Sequence, residues 1–167
     1  MFVSHDLRVA VPATDMPDGG NPSLRRILIP VRSPEESAEA LAVAARLCNS
    51  TINGVLRLIH VRIYDPPMRR CPGRFYPETV AEAAALLDES LLIVWGSGVQ
   101  ATTAVMDAPR GQVAAAIVQQ AAAWRADVIV LTRRGRSAIS RMVLGSVADQ
   151  VMRTATCPVL TVHPKRK

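Results

Sequence analysis

A chain of 167 residues, 49% hydrophobic and 20% charged, has the size and balance of one globular domain, long enough to bury a core without disulfide or metal staples. Its longest run of large apolar residues, Leu91 to Trp95, falls far short of the roughly 18 a membrane span requires. No secretory apolar segment follows Met1, so a cytoplasmic protein with no membrane contact is expected. The formal net charge is +6, with Arg8 against Asp6, Asp15 and Asp18 in residues 1–24, which leaves +8 on the remainder. That basic body suits nucleic acid, anionic lipid or phosphorylated small molecules; six aromatics are thin provision for base stacking, so specific nucleic-acid recognition is not expected.

In chain order, residues 1–24 hold Pro12, Pro17, Gly19, Gly20 and Pro22 without sustained periodicity and read as a mobile leader outside a domain of residues 25–167. Ile27-Leu28-Ile29-Pro30-Val31 is a continuous apolar run of the kind found in a strand covered on both faces, with Pro30 at its end because it has no amide to donate. Ser33-Pro34-Glu35-Glu36 predicts a helix start, with a hydroxyl cap, a proline in the first turn, and a Glu placed to close a capping box. The helix runs to about Cys48, and Ala38, Leu41, Ala45 and Cys48 face the sheet.

A second strand, Val55 to Ile63, leads into a basic loop holding Arg69, Arg70, Cys71 and Arg74. A helix follows from Glu78 to about Ser97, then a strand from Gln100 to Met106; Pro109 opens a third helix with Val113, Ile117, Ala121 and Trp124 on one stripe. Asp127 to Leu131 is a fourth buried strand, a helix begins near Ser146, and Pro158 to Val162 completes five strands. The alternation predicts an α/β fold: an open five-stranded parallel sheet with helices on both faces.

In such sheets ligands bind beyond the carboxyl ends of the strands, where strand order reverses. The segment from Thr132 to Ser146 leaves the fourth strand with four arginines and no acid. Gly135 and Gly145 permit close backbone approach, and free amides at the helix start near Ser146 suit a phosphate. The competing reading is structural: Ser146 caps its helix, aided by Asp149, and the arginines form a solvated face.

The string from Leu131 to Val147, continued by Thr154-Ala155-Thr156-Cys157-Pro158-Val159-Leu160, resembles the C-terminal signature of the universal stress protein family. Ile27 to Val31 resembles that family's first strand and Leu58-Ile59-His60-Val61 its second, so the similarity covers residues 25–163. The resemblance implies a Rossmann-like sheet ordered 3-2-1-4-5 and homodimers that pair through the last strand. In one branch it also implies ATP or another adenine nucleotide between strands one and four. Carried over residue by residue, adenine would lie near Val61, with Pro30, Val31 and Arg32 along the first loop. Leu131 and Thr132 would flank the sugar or base, and Gly135, Gly145, Ser146 and Val147 would offer amides to phosphate.

Two departures bear on that pocket. Thr132 stands where the nucleotide-binding branch has its first glycine, and Arg32 where it ends strand one with an acid that faces ribose or metal. An arginine accepts no ribose hydroxyl and holds no magnesium, though it can grip a phosphate bidentately. No metal is therefore expected.

His5, His60 and His163 have no acidic partner at motif spacing, and no Walker A string is present, so no catalytic residues are assigned and an enzyme is not expected. Cys48, Cys71 and Cys157 are odd in number without Cys-x-x-Cys spacing, against a disulfide framework or thiolate zinc. Cys71 lies among arginines that favour a thiolate, although a bystander thiol is the simpler reading. Three functions stay open: a stress-response regulator holding an adenine nucleotide in an atypical pocket, a nucleotide-free homodimeric adaptor working through protein partners, and nonspecific nucleic-acid binding.

Overall fold

The computed structural model of the chain describes residues 8–10, 24–65, 73–132 and 146–163. The strands are β1 Arg8–Ala10, β2 Arg26–Pro30, β3 Val55–Tyr64, β4 Gln100–Pro109, β5 Val128–Thr132 and β6 Val159–Val162. The helices are α1 Pro34–Asn49, α2 Val80–Trp95, α3 Val113–Trp124 and α4 Ser146–Thr154. Strands β2 to β6 pair in parallel in the order β4-β3-β2-β5-β6, which is the expected 3-2-1-4-5 arrangement.

Ile27, Leu28 and Ile29 are fully enclosed because β2 lies at the centre with both faces covered. Alternation along the strand sends Ile27 and Ile29 into one core with Leu41, Ala44 and Cys48 of α1 and Leu87 and Val94 of α2. Leu28 enters a second core with Ala114, Ile117 and Ala121 of α3 and Ala148 and Val151 of α4. On α1, Leu41, Ala45 and Cys48 are buried as expected, while Ala38 is only half-buried and Ser37 and Ala40 take the inward position.

Several expectations are corrected. Residues Arg8–Ala10 are part of the sheet: they pair antiparallel with β6, Val9 opposite Leu160. An edge strand exposes a row of unpaired amides and carbonyls that any short extended segment can satisfy through backbone alone, so side-chain pattern gives no warning of it. Pro109 closes β4 rather than opening a helix, opposite Tyr64, and α3 begins at Val113 after Gly111 at φ 87°. Proline suits a strand end as well as a helix start, and here strand pairing decides.

At α1, Ser33 Oγ accepts the Glu36 amide at 3.2 Å, but the Glu36 carboxylate turns to Arg32 instead of closing a box. The reciprocal box is at α2: Thr79 Oγ1 accepts the Glu82 amide at 3.2 Å, and the Glu82 carboxylate accepts the Thr79 amide at 2.7 Å.

Candidate functional site

The chain leaving β2 enters α1 on one face of the sheet, and the chain leaving β5 leads to α4 on the other. Their carboxyl ends therefore diverge, which opens a crevice between two neighbouring central strands. Strand lengths give it a wall. Pro30 ends β2 opposite Ile59, so β3 continues for five more residues, His60 to Tyr64, with β4 beside it throughout. That overhang rises roughly 16 Å above the end of β2.

Continuing the β2–β5 register places Leu131 level with Pro30 and Thr132 level with Val31. Leu131 is buried and forms floor, while Val61, partly buried at the foot of the overhanging wall, packs against the same core. Val31 has both backbone groups committed: its amide donates to the Ile59 carbonyl at 2.8 Å, and its carbonyl accepts from His60 Nδ1 at 2.8 Å. Arg32 is exposed, its Nη1 3.5 Å from Glu36 Oε2, a solvated pair from which an anion can recruit it at little cost. Ser146 and Val147 open α4 and are exposed. Ala148 and Val151 share a core with Leu131, which sets the α4 N-terminus on the β5 side. Gly135 and Gly145, with the arginines between them, lie outside the described residues.

Thr132 is the distinctive member. Its Oγ1 is enclosed and has no hydrogen-bond partner among the described residues. A buried hydroxyl left unpaired costs about 1–3 kcal/mol, so such atoms are few and each calls for a compensating partner or purpose.

Sequence reasoning missed a polar network on the overhanging wall. His60 is buried, and its Nδ1 must donate to the Val31 carbonyl, which can only accept. Its Nε2 lies 2.8 Å from Glu78 Oε2. The acidic partner lacking at motif spacing is thus Glu78, one residue before the cap of α2. Arg62, also buried, forks onto Asp107 with Nε–Oδ1 and Nη2–Oδ2 both 2.9 Å. It also donates to the Glu78 carbonyl at 3.2 Å and lies 4.5 Å from the Tyr76 ring centroid.

Tyr76 O–H donates to Asp107 at 3.2 Å, and Arg110 binds Asp65 at 2.6 Å across the strand tops. The Arg110 hydrogen bonds hold the Asp65 carboxyl below the usual range. His60 and Arg62 continue the period-2 face of Leu56 and Leu58, and Arg62 and Asp107 are register partners. A strand pairing would have revealed them; the linear sequence does not.

Among the described residues no group of three or more His, Cys, Asp or Glu side chains is placed to hold a metal ion, and no helix is long and apolar enough to cross a membrane. Cys48 is buried and Cys157 half-buried, both as free thiols. Cys71 lies outside the described residues.

Residues 23–163 match the model of the universal stress protein family. The chain belongs to this family. It is 30% identical over 143 residues to a universal stress protein of Thermus aquaticus, an alignment covering 83% of this chain and 98% of that one. A universal stress protein of Methanocaldococcus jannaschii is 43% identical over 51 residues, and there the match spans only 30% of each chain. Among solved structures, a universal stress protein from Archaeoglobus fulgidus in complex with dAMP superposes with TM-score 0.64 at 20% identity, covering 84% of this chain and 98% of that one. A universal stress protein in complex with cAMP gives TM-score 0.63 at 22% identity, covering 86% and 99%. At those identities the likeness establishes the shared fold.

Proposed function

We propose that this universal stress protein is a cytoplasmic stress-response regulator that holds an adenine nucleotide in the crevice between β2 and β5 without a catalytic apparatus of its own. The observation that carries the reading is Thr132 Oγ1, enclosed at the crevice and unpartnered among the described residues. It is a hydroxyl held ready for a polar ligand group. Two proteins of the same fold, solved with dAMP and with cAMP, support the choice of ligand. Leu131 offers an apolar floor for a purine and Val61 an apolar side at the foot of the wall, the first amides of α4 face phosphate, and Arg32 supplies a guanidinium in place of a metal-holding acid.

Thermal unfolding of the full chain with AMP, ATP and cyclic AMP, at matched ionic strength and with or without magnesium, tests this. A ligand that binds the native state raises Tm by mass action, so Tm is expected to climb with nucleotide and to be indifferent to magnesium. Arg32→Asp is expected to make ATP binding depend on magnesium. No shift with any purine nucleotide at millimolar concentration overturns the reading and leaves the nucleotide-free adaptor. The homodimer through the last strand meets a specific obstacle, because Arg8–Ala10 occupy the β6 edge. Deleting residues 1–22 is therefore expected to promote dimers in light scattering; a full-length chain already dimeric through β6 contradicts this.

A further inference from the structure

At the opposite, amino end of the sheet, four arginines gather, none with a carboxylate in ion-pair distance among the described residues. Arg25 and Arg26 enter β2, Arg57 lies on β3, and Arg125 follows Trp124, the last residue of α3. Arg32, Arg62, Arg110 and Arg153 each have a carboxylate within ion-pair distance. Among the described residues Arg25, Arg26, Arg57 and Arg125 have none. Arg25, Arg26, Arg125 and Asp127 line a shallow, open cavity of about 280 Å³. The frame is fixed by backbone: Asp127 Oδ2 accepts the amides of Arg25 and Arg26, both at 2.8 Å, and Arg26 Nη1 donates to the Trp124 carbonyl at 2.9 Å. Arg57 lies over the Trp124 ring, 5.1 Å from its centroid.

Asp127 is the one carboxylate in this lining, so a single negative charge faces three guanidiniums there, with Arg57 close by over the Trp124 ring. Like charges held together in this way repel, and a bound anion relieves them. Backbone strain gives independent support. Arg125 occupies the left-handed position after α3, at φ 53° and ψ 53°, where glycine is the usual residue. Strained positions that persist concentrate at ligand sites, and this one lines the cavity.

We propose that this basal cavity is a second anion site, separate from the crevice, that takes the phosphate groups of a small oligophosphate or phosphorylated metabolite. Guanidinium forks match phosphate oxygens bidentately. The hollow is shallow and open, lined by three guanidiniums, so it suits the phosphate end of a small ligand rather than enclosing a whole one.

Calorimetry of the full chain with inorganic pyrophosphate, at constant ionic strength and without magnesium, is the test. Saturable one-to-one binding is expected at the basal cavity, weakened at least tenfold in R25Q/R125Q. Arg125→Gly suits the left-handed backbone, so its Tm is expected to hold or rise while pyrophosphate affinity falls at least threefold, which separates ligand loss from misfolding. Arg46→Gln, an exposed charge-matched control outside both sites, is expected to leave this affinity unchanged, and R25Q/R125Q is expected to bind AMP as the parent does, so failure here and failure of the nucleotide reading are distinguishable. Absence of saturable binding at millimolar pyrophosphate, or equal binding by R25Q/R125Q, overturns the proposal. So does displacement of pyrophosphate by a 20-mer oligonucleotide whose affinity collapses with salt, since that marks a nucleic-acid surface.

Discussion

Replacing Thr132 by valine separates the energetics of the empty crevice from those of the occupied one. Valine keeps the branched shape and suits a strand, and it removes only the hydroxyl whose oxygen is enclosed without a partner among the described residues. An unpaired buried hydroxyl costs about 1–3 kcal/mol. Thr132 as a whole is half-buried, which places the relief at the low end, so T132V is expected to stabilise the ligand-free protein by about 1 kcal/mol. The same change deletes a hydrogen bond to the nucleotide worth about 0.5–1.5 kcal/mol, a loss of roughly two- to tenfold in affinity. Urea titration reads the first effect and calorimetry with AMP the second. Thr132→Ser, which keeps the hydroxyl and loses a methyl, is expected to do the reverse, binding normally while losing stability. If T132V loses 1 kcal/mol or more and binds AMP as the parent does, the hydroxyl is serving the fold and the reasoning fails.

Asp107→Ala leaves the buried Arg62 guanidinium with only the Glu78 carbonyl and the Tyr76 ring. Losing one partner of a fully buried pair costs about 3–5 kcal/mol, and because 38% of the Asp107 side chain is exposed, about 2 kcal/mol is expected by urea denaturation. A loss below about 0.5 kcal/mol would show the pair to be ornamental. The carboxyls of Glu82, held by the Thr79 amide and hydroxyl, and of Asp65, held by Arg110, titrate below their ordinary range. Their contribution is complete above the unfolded values near pH 4 and is lost as pH falls through the lower folded values. Tm should therefore drop on acidification below about pH 4, less steeply in E82Q/D65N; an unchanged acid limb in that variant contradicts the assignment. Burial pushes the Cys48 thiol up, so at pH 8 a thiol reagent should modify it far more slowly than a free thiol, with mass spectrometry locating the adduct. Prompt labelling of Cys48 in the native protein would refute its place in the core.

What the sequence disclosed follows from which interactions are local. The apolar runs of β2, β5 and β6 and the helical stripes between them need no partner to be read, because burial on both faces leaves a periodic trace. The place of the crevice came from the family resemblance, because alternating strands and helices put ligands at the carboxyl ends of the strands without fixing the strand order that says where it reverses. Pairings between distant segments left no such trace. Arg62 and Asp107 are 45 residues apart, His60 and Glu78 are 18 apart, and β1 pairs with β6 from the other end of the chain. Caps show the same limit on a smaller scale. Ser33-Pro34-Glu35-Glu36 marked the start of α1, yet Glu36 chose Arg32, whose guanidinium competes for the carboxylate. The clustering of Arg25, Arg26, Arg57 and Arg125 likewise needs the strand order before it becomes visible.

Nitrogen-15 correlation spectra of the full chain titrated with AMP address the occupied crevice most directly. Saturable shifts are expected at the amides of Val31, Arg32, Val61, Thr132, Ser146 and Val147, with those of Arg25, Arg125 and Asp127 at the far end still. A titration that leaves the first group unmoved, or moves only the second, contradicts a nucleotide held between β2 and β5.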